Sequence, residues 1–255
     1  MTVLALDTGT RAGSAALVRD GKVLAAIEGD PARTHGERLP ADLLRLLDSE
    51  RTNLADVDLL AVSSGPGSFT SVRVGVATIQ ALALVHRCPV VPVSTLDAVA
   101  RELSAATAGT DLLAAWMDGQ RGEVFAALYT RATRGERVLV PPAAGKPNDV
   151  LDGWADRIEG RTVAFGGDGI GATRDRLDAR FGARAILVDR LPPLAPTLAR
   201  LAAERAGRGE TVTPHAIQPV YVRRPDAEIA RERARSRAAQ RPTARGPRGG
   251  GRLPS

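Results

Sequence analysis

The stretch at residues 65–90, GPGSFTSVRVGVATIQALALVHRCPV, restricts the possible folds of this chain more than any other part of it. It opens with a turn rich in Gly and Ser, and backbone N–H groups at a helix start can hold an anion. The helix predicted at residues 72–85 carries apolar side chains in every direction around its axis. Such a helix must be buried on more than one side, within its own domain or beneath a partner. Gly75 in its middle indicates that another backbone comes close.

The length of 255 residues allows one or two domains. The sequence has no run of 18 apolar residues, and Asp7 interrupts the apolar N-terminus. The single cysteine, Cys88, cannot form an internal disulfide, which agrees with a reducing compartment. We therefore expect a soluble, cytoplasmic protein that does not contact a membrane.

The formal net charge of +6 is concentrated at the C-terminus. Residues 226–255 hold eight Arg against three acidic residues, whereas residues 1–225 hold 27 basic and 26 acidic residues. The terminal stretch has few large apolar residues and ends in Gly, Pro and Arg, which predicts a disordered tail. Two interpretations stay open: the tail contacts RNA phosphates, or it is a solvated appendage without a ligand.

The N-terminal part has the pattern of a three-stranded meander followed by helices and buried strands. Strands are predicted at residues 3–6, 14–18, 22–27, 59–62 and 90–93. Leucines recur with helical spacing at residues 39–47, with Pro40 near the predicted first turn and Leu44 off the stripe. A capped helix is expected at the stretch STLDAVARELSAA.

A second unit begins near Asp111 and echoes the first. LLAAWMDGQRGEVFAALYT and VLALDTGTRAGSAAL both place Asp at a strand end, then a turn with Gly and Arg, then an apolar strand. Strands at residues 161–165 and 185–188 and helices at 174–181 and 196–208 are expected to follow. The echo predicts two halves of similar fold. We expect domains at residues 1–105 and 106–225, followed by the basic tail at 226–255.

Two turns are candidates for nucleotide binding. DTGT, formed by Asp7, Thr8, Gly9 and Thr10, lies between two predicted strands, where one large superfamily holds phosphates on backbone N–H groups. GGDGIG, which begins with Gly166 and Gly167, follows another predicted strand and has the composition to hold an adenosine. Both stretches are equally consistent with structural turns.

The sequence has no motif for metal binding or for nucleophilic catalysis. His35, His86 and His215 are isolated, with neither HxxxH nor HExxH spacing, so no metal site is predicted, and His35 is expected as a polar residue before a helix. GPGSF is not the GxSxG turn of a serine nucleophile. We therefore predict no catalytic residue.

Six stretches together resemble the TsaB family, also called YeaZ, in order from about residue 2 to residue 224. They are GPGSFTSVRVG, LALDTGT, THGERLP, VSTLDA, MDGQRGEVF and PVYVR. Ser71 stands where that family usually has Gly. The resemblance implies an α/β, actin-like (ASKHA) fold of two RNase H-like domains, with mixed sheets flanked by helices. It also implies a non-catalytic relative of TsaD that lacks the metal-binding histidines of TsaD.

The resemblance further implies a function in tRNA modification. Proteins of this family bind TsaD and, with TsaE, support transfer of a threonylcarbamoyl group to N6 of adenosine 37 in tRNAs that read ANN codons, which forms t6A. ATP and a metal are used by TsaD and TsaE, no cofactor is held tightly by this chain, and tRNA is reached through the complex. Two alternatives stay open: a stand-alone ATP-dependent kinase of the actin-like superfamily, and a glycoprotease-like metallopeptidase.

In the family, two N-terminal helices bind TsaD and, alternatively, a second copy. They match residues 39–50 and 70–86 here. The expected partner interface consists of Leu39, Leu43, Leu44, Leu47, Thr70, Arg73, Val74, Ala77 and Ala81. A second set is expected to shape the glycine loop and its helix instead of binding a ligand: Gly65, Pro66, Gly67, Ser68 and Gly75.

Overall fold

A computed structural model describes residues 1–132 and 135–222, and the predicted basic tail at 226–255 lies outside the described residues. The first half contains β1 (Thr2–Asp7), β2 (Ser14–Arg19), β3 (Lys22–Glu28), α1 (His35–Ser49), β4 (Leu59–Ser63), α2 (Phe69–His86), β5 (Val90–Val93) and α3 (Thr95–Ala106). The second half contains β6 (Leu112–Gln120), β7 (Glu123–Ala132), β8 (Gly135–Gly145), α4 (Pro147–Gly153), α5 (Ala155–Ile158), β9 (Val163–Gly166), α6 (Ile170–Phe181), β10 (Ala185–Val188) and α7 (Ala195–Ala206).

The two sheets have the same topology. The first has the strand order β3-β2-β1-β4-β5 and the second β8-β7-β6-β9-β10. In each sheet the first three strands form an antiparallel meander. The fourth strand pairs in parallel with the first, and the fifth pairs in parallel with the fourth. The sequence echo between the halves therefore reflects a repeated fold, and the expected α/β fold of two similar halves with mixed sheets flanked by helices is confirmed.

The helices bury both faces of both sheets. α1 and α2 pack on one face of the first sheet, and α4, α5 and α6 pack on the outer face of the second. α3 and α7 share one core with strands of both sheets, with α3 against β6 and α7 against β1. The core between the two sheets is rich in Ala, whereas the outer core of the second half contains Trp116, Trp154, Phe165 and Phe181.

The last part of the second half packs on the first sheet. α7 contacts β1, β2, β4 and β5, and beyond it Val212 bridges to Val90. Ile217 is buried in the core beneath α2. The boundary expected at 105/106 lies between the strands of the two sheets, and the division into two domains there stays a prediction.

α1 begins four residues earlier than the leucine stripe predicts. The Thr34 N–H donates to the Glu37 carboxylate at 2.9 Å, which forms a capping box at the helix start. His35 is therefore inside the helix and buried, which corrects the expectation of a polar residue before it. Pro40 lies beyond the first turn, at the sixth position of the helix.

Candidate functional site

The backbone N–H groups of the DTGT turn, between β1 and β2, donate hydrogen bonds to nearby side chains of the protein. The Asp7 carboxylate accepts the Gly9 N–H at 2.8 Å and the Thr10 hydroxyl. The Ser63 hydroxyl oxygen, at the end of β4, accepts the N–H groups of Thr8 at 3.0 Å and Gly9 at 3.1 Å. A phosphate held on these N–H groups would have to displace the Asp7 carboxylate and the Ser63 hydroxyl as hydrogen-bond acceptors.

The glycine loop before α2 packs directly on the DTGT turn. A β-carbon at Gly67 would lie 2.6 Å from the Gly9 carbonyl oxygen, and one at Gly75 would overlap the Thr8 hydroxyl. Gly65 has φ +104°, is joined to Pro66 by a cis peptide bond, and faces the Val220 carbonyl. Ser68 is the N-cap of α2. These contacts support a structural role for the loop.

The GGDGIG turn contacts the hairpin of the second half. Gly166 ends β9, and Gly167, with φ +126°, packs against the Trp116 carbonyl. Asp168 accepts the Asp118 N–H at 2.8 Å. The Asp168 side chain reaches solvent at the edge of the cleft, yet desolvation raises the pKa of its carboxyl, and the charges of Asp118 and Asp7 raise it further.

Both turns face one cleft between the two halves. A cavity of about 1060 Å³ is lined by Gly9 and Thr10 on one side and by Asp118, Asp168 and Gly169 on the other. Gly166 and Gly167 do not line it. Among residues 1–132 and 135–222, no group of three or more His, Cys, Asp or Glu side chains is placed to hold a metal ion.

A buried polar cluster ties α1 to the DTGT hairpin. The Arg38 guanidinium donates to the Asp42 carboxylate at 2.7 Å, to His35 Nδ1 at 2.7 Å and to the Ala12 carbonyl. Arg38 can only donate, so His35 Nδ1 accepts this bond and carries no proton. Burial and the neighbouring Arg38 charge lower the pKa of His35. This cluster was not predicted from the sequence, although Arg38 and Asp42 have i, i+4 spacing.

α2 is buried on one face only. Val72, Gly75, Val76, Ile79 and Ala83 pack into the core. The expectation that this helix is buried on more than one side is therefore wrong for the isolated chain, which leaves covering by a partner as the open alternative. By length and composition α2 could cross a membrane, but its buried face packs on the first sheet.

The opposite surface of α1 and α2 is exposed and largely apolar. Leu44 is 62% exposed, Leu84 49% and Val85 76%. We call the following residues the outer face: Leu44, Phe69, Thr70, Arg73, Ala77, Ala81, Leu84, Val85 and Tyr221, all of them exposed. α1 and α2 contact each other, so Leu44 of α1 belongs to the same side of the protein as the outer-face residues of α2.

Two residues of the expected interface are buried instead. Leu39 is 2% exposed and Leu43 7%, and both pack in the core of the first half. Leu47 and Val74 are half-buried and also pack against that core. The leucine stripe of α1 faces its own sheet, so only Leu44, which is off the stripe, is presented outward.

An aromatic and arginine cluster lies at the start of α2. The Arg73 guanidinium carbon is 3.9 Å from the centroid of the Phe69 ring, and Arg73 Nε donates to the Tyr221 hydroxyl at 2.7 Å. The Phe69 and Tyr221 rings are 5.1 Å apart. Exposed Tyr and Arg residues of this kind are enriched at the centres of protein interfaces. The contact between these residues could not be predicted from local sequence patterns, because Tyr221 follows Arg73 by 148 positions.

Comparisons with known proteins agree on one family. The family TsaD, described as tRNA N6-adenosine threonylcarbamoyltransferase, matches residues 29–231. The chain is 36% identical to the tRNA threonylcarbamoyladenosine biosynthesis protein TsaB of Escherichia coli, over 88% of this chain and 95% of that protein. It is 27% identical to TsaB of Bacillus subtilis, over 89% and 96% of the two chains.

A solved structure gives the same result. The structure of YeaZ from Pseudomonas aeruginosa superposes with a TM-score of 0.71 at 31% identity, covering 86% of this chain and 99% of that one. The matched regions extend across both halves of the chain. The chain therefore belongs to the TsaB (YeaZ) family.

Proposed function

We propose that this protein is a non-catalytic, cytoplasmic subunit of the complex that forms t6A. It binds TsaD, with TsaE as a further component, and supports transfer of the threonylcarbamoyl group to N6 of adenosine 37 in tRNAs that read ANN codons. Membership of a family whose Escherichia coli and Bacillus subtilis members are named for t6A biosynthesis supports this function.

The observation that carries the partner role is the outer face. Exposed Leu44, Leu84 and Val85 lie beside small exposed side chains that let another helix come close. Contiguous exposed apolar surface on a soluble protein marks an interaction site. We assign TsaD as its occupant, through Leu44, Thr70, Arg73, Ala77 and Ala81, with Val74 and Leu47 at the edge of the contact. A homodimer through the same face would compete with TsaD.

The geometry of the DTGT turn argues for a subunit that does not hold ATP tightly. The N–H groups of Thr8 and Gly9 already donate to Ser63, and the Asp7 carboxylate is engaged by Gly9 and Thr10. Titration of the purified protein with ATP and Mg²⁺ separates this proposal from a stand-alone kinase. Micromolar binding with turnover on a small substrate would favour the kinase.

The test of function measures t6A in a bacterial strain that depends on this gene. We expect Ala81→Glu to lower the t6A content of total tRNA, because it places a charge in the outer face. Ala155→Glu is the matched control, because Ala155 is an exposed helical alanine in the second half. Normal t6A with a folded, normally expressed Ala81→Glu protein would contradict the proposed surface.

A further inference from the structure

The last described segment, residues 212–222, is fixed along α2, and we call it the strap. The Gln80 side-chain amide donates to the carbonyls of Pro214 at 2.8 Å and Ile217 at 3.4 Å. The Ile217 side chain is buried in the core beneath α2. At the far end of the strap, the Tyr221 hydroxyl accepts a hydrogen bond from α2. The strap therefore has a defined position, and it forms one wall of a groove on α2.

The groove between α2 and the strap has a volume of about 490 Å³. Val76 and Ala77 of α2 and Pro219 of the strap contribute apolar lining. Among the described residues that line the groove, Arg73 is the one with a charge. Arg73, Ala77 and Tyr221 belong both to this groove and to the outer face. The groove is therefore continuous with the surface that we assign to TsaD.

Aromatic side chains hold Arg73 without supplying an anion. The guanidinium carbon is 3.9 Å from the centroid of the Phe69 ring and 5.7 Å from that of Tyr221, and Nε donates to the Tyr221 hydroxyl at 2.7 Å. No carboxylate within residues 1–132 and 135–222 pairs with Arg73, and its two terminal nitrogens donate no hydrogen bond there. The guanidinium is thus oriented in advance, with its terminal nitrogens available to a ligand.

We propose that this groove receives an acidic segment of TsaD, in which an Asp or Glu carboxylate pairs with the terminal nitrogens of Arg73. The choice of TsaD rests on the proposed function. A partner that covers the outer face removes Arg73 from water, and a buried guanidinium without an anion is strongly unfavourable. A carboxylate on the partner supplies that anion, and its two oxygens match the planar guanidinium.

The surroundings of Arg73 favour a protein over a nucleic acid as the occupant. The other members of the outer face are uncharged, and most of them are apolar or aromatic. Surfaces that bind nucleic acids are strongly basic, whereas residues 1–222 hold 25 basic and 26 acidic residues. A single arginine among aromatic and apolar side chains has the composition of a protein interface.

The first test measures the affinity of purified TsaD for wild type and for variants of Arg73. We expect Arg73→Met to bind at least ~10-fold more weakly, because it leaves the carboxylate of TsaD buried without a cation. Arg73→Lys should bind with intermediate affinity, because it keeps the charge but loses the planar guanidinium. Tyr221→Phe should bind about 3-fold more weakly, because Arg73 loses one of the groups that orient it. Arg157→Gln, at an exposed helical arginine of the second half, is the matched control and should bind like wild type.

The second test identifies the carboxylate by charge reversal. Arg73→Glu should bind TsaD more weakly than Arg73→Met, because two carboxylates then face each other. It is titrated against a panel of TsaD variants, each with one surface Asp or Glu changed to Arg. One member of the panel should restore at least ~10-fold of the lost affinity for Arg73→Glu while binding the wild-type chain weakly. This rescue does not depend on the stability of the Arg73 variants, since the same Arg73→Glu protein is used throughout.

Three results would overturn the proposal: wild-type affinity of Arg73→Met for TsaD, no rescue by any member of the panel, or an effect of Arg73→Met on another ligand alone. The third is checked with fluorescently labelled tRNA and by sedimentation of the free protein, which report a phosphate or a second copy as the occupant. If Ala81→Glu loses TsaD and Arg73→Met retains it, the groove proposal alone fails. If the wild-type chain does not bind TsaD, the proposed function fails.

Discussion

Gly67 lies against Gly9, so that a β-carbon at position 67 would fall 2.6 Å from the Gly9 carbonyl oxygen and 2.8 Å from its Cα. Both contacts are to backbone, which no side-chain rotation can relieve. The glycine loop and the DTGT turn are therefore one packed unit in the first half. The glycines that suggest a phosphate site in the sequence instead let two loops come together.

Gly67→Ala should destabilise the protein by about 1 to 3 kcal/mol, because the added methyl overpacks a backbone contact. Urea unfolding followed by circular dichroism measures the change. Gly36→Ala is the control, since nothing lies within 4 Å of a β-carbon there and the residue is in α1. Equal stability of Gly67→Ala and wild type would show that the loop can move away from Gly9.

Leu43 and Leu44 are adjacent on α1 but should respond in opposite ways. Leu43→Ala removes a core side chain and should cost about 2 to 4 kcal/mol of unfolding free energy. Leu44→Ala should leave stability within about 0.5 kcal/mol, because Leu44 is exposed. TsaD affinity should fall for Leu44→Ala. A loss of stability at Leu44, with TsaD affinity unchanged, would mean that Leu44 is not an interface residue.

His35 should make stability depend on pH near neutrality. Burial and Arg38 lower its pKa in the folded chain, whereas the unfolded chain has the ordinary value of about 6.5. Below that value the unfolded chain binds a proton at His35 that the folded chain excludes. The contribution of His35 to the free energy of unfolding is therefore full above about pH 6.5 and falls as the pH drops towards 5. His35→Gln should remove this part of the pH dependence. Parallel curves for wild type and His35→Gln between pH 5 and 7.5 would contradict the assignment.

Arg101 connects three elements between the sheets. It donates to Glu136 of β8 at 2.7 Å and to Glu204 of α7 at 2.9 Å from its place on α3. Arg101→Ala should cost about 2 kcal/mol, because the Glu136 carboxylate is nearly buried and would lose its cation. Adding Glu136→Gln should restore part of the loss in thermal unfolding. If the double variant is no more stable than Arg101→Ala, the unpaired Glu136 charge is not the cause of the lost stability.

Local patterns predicted most of the strands and helices, because alternation and helical spacing act over a few residues. The start of α1 was misplaced because Pro40 suggested a first turn, although Thr34 and Glu37 carry the capping signal. β8 was missed because Pro141 and Pro142 interrupt an already irregular apolar pattern. α4 has only seven residues, too few for a clear period.

The candidate site could be predicted only in part, because it depends on contacts between distant residues. Periodicity finds the apolar faces of α1 and α2 but does not say which face the first sheet covers. That is why Leu39 and Leu43 were expected at the interface and lie in the core. The pairing of Arg73 with Tyr221 and the engagement of the Thr8 N–H by Ser63 required the fold.

The most direct test of the account is the affinity of purified TsaD for this protein, measured by isothermal titration calorimetry. Wild type and Ala155→Glu should bind TsaD equally, and Ala81→Glu should bind at least ~10-fold more weakly while keeping the wild-type unfolding midpoint, because a carboxylate would be desolvated without a partner. Equal affinity of all three proteins would contradict the assignment of the outer face to TsaD.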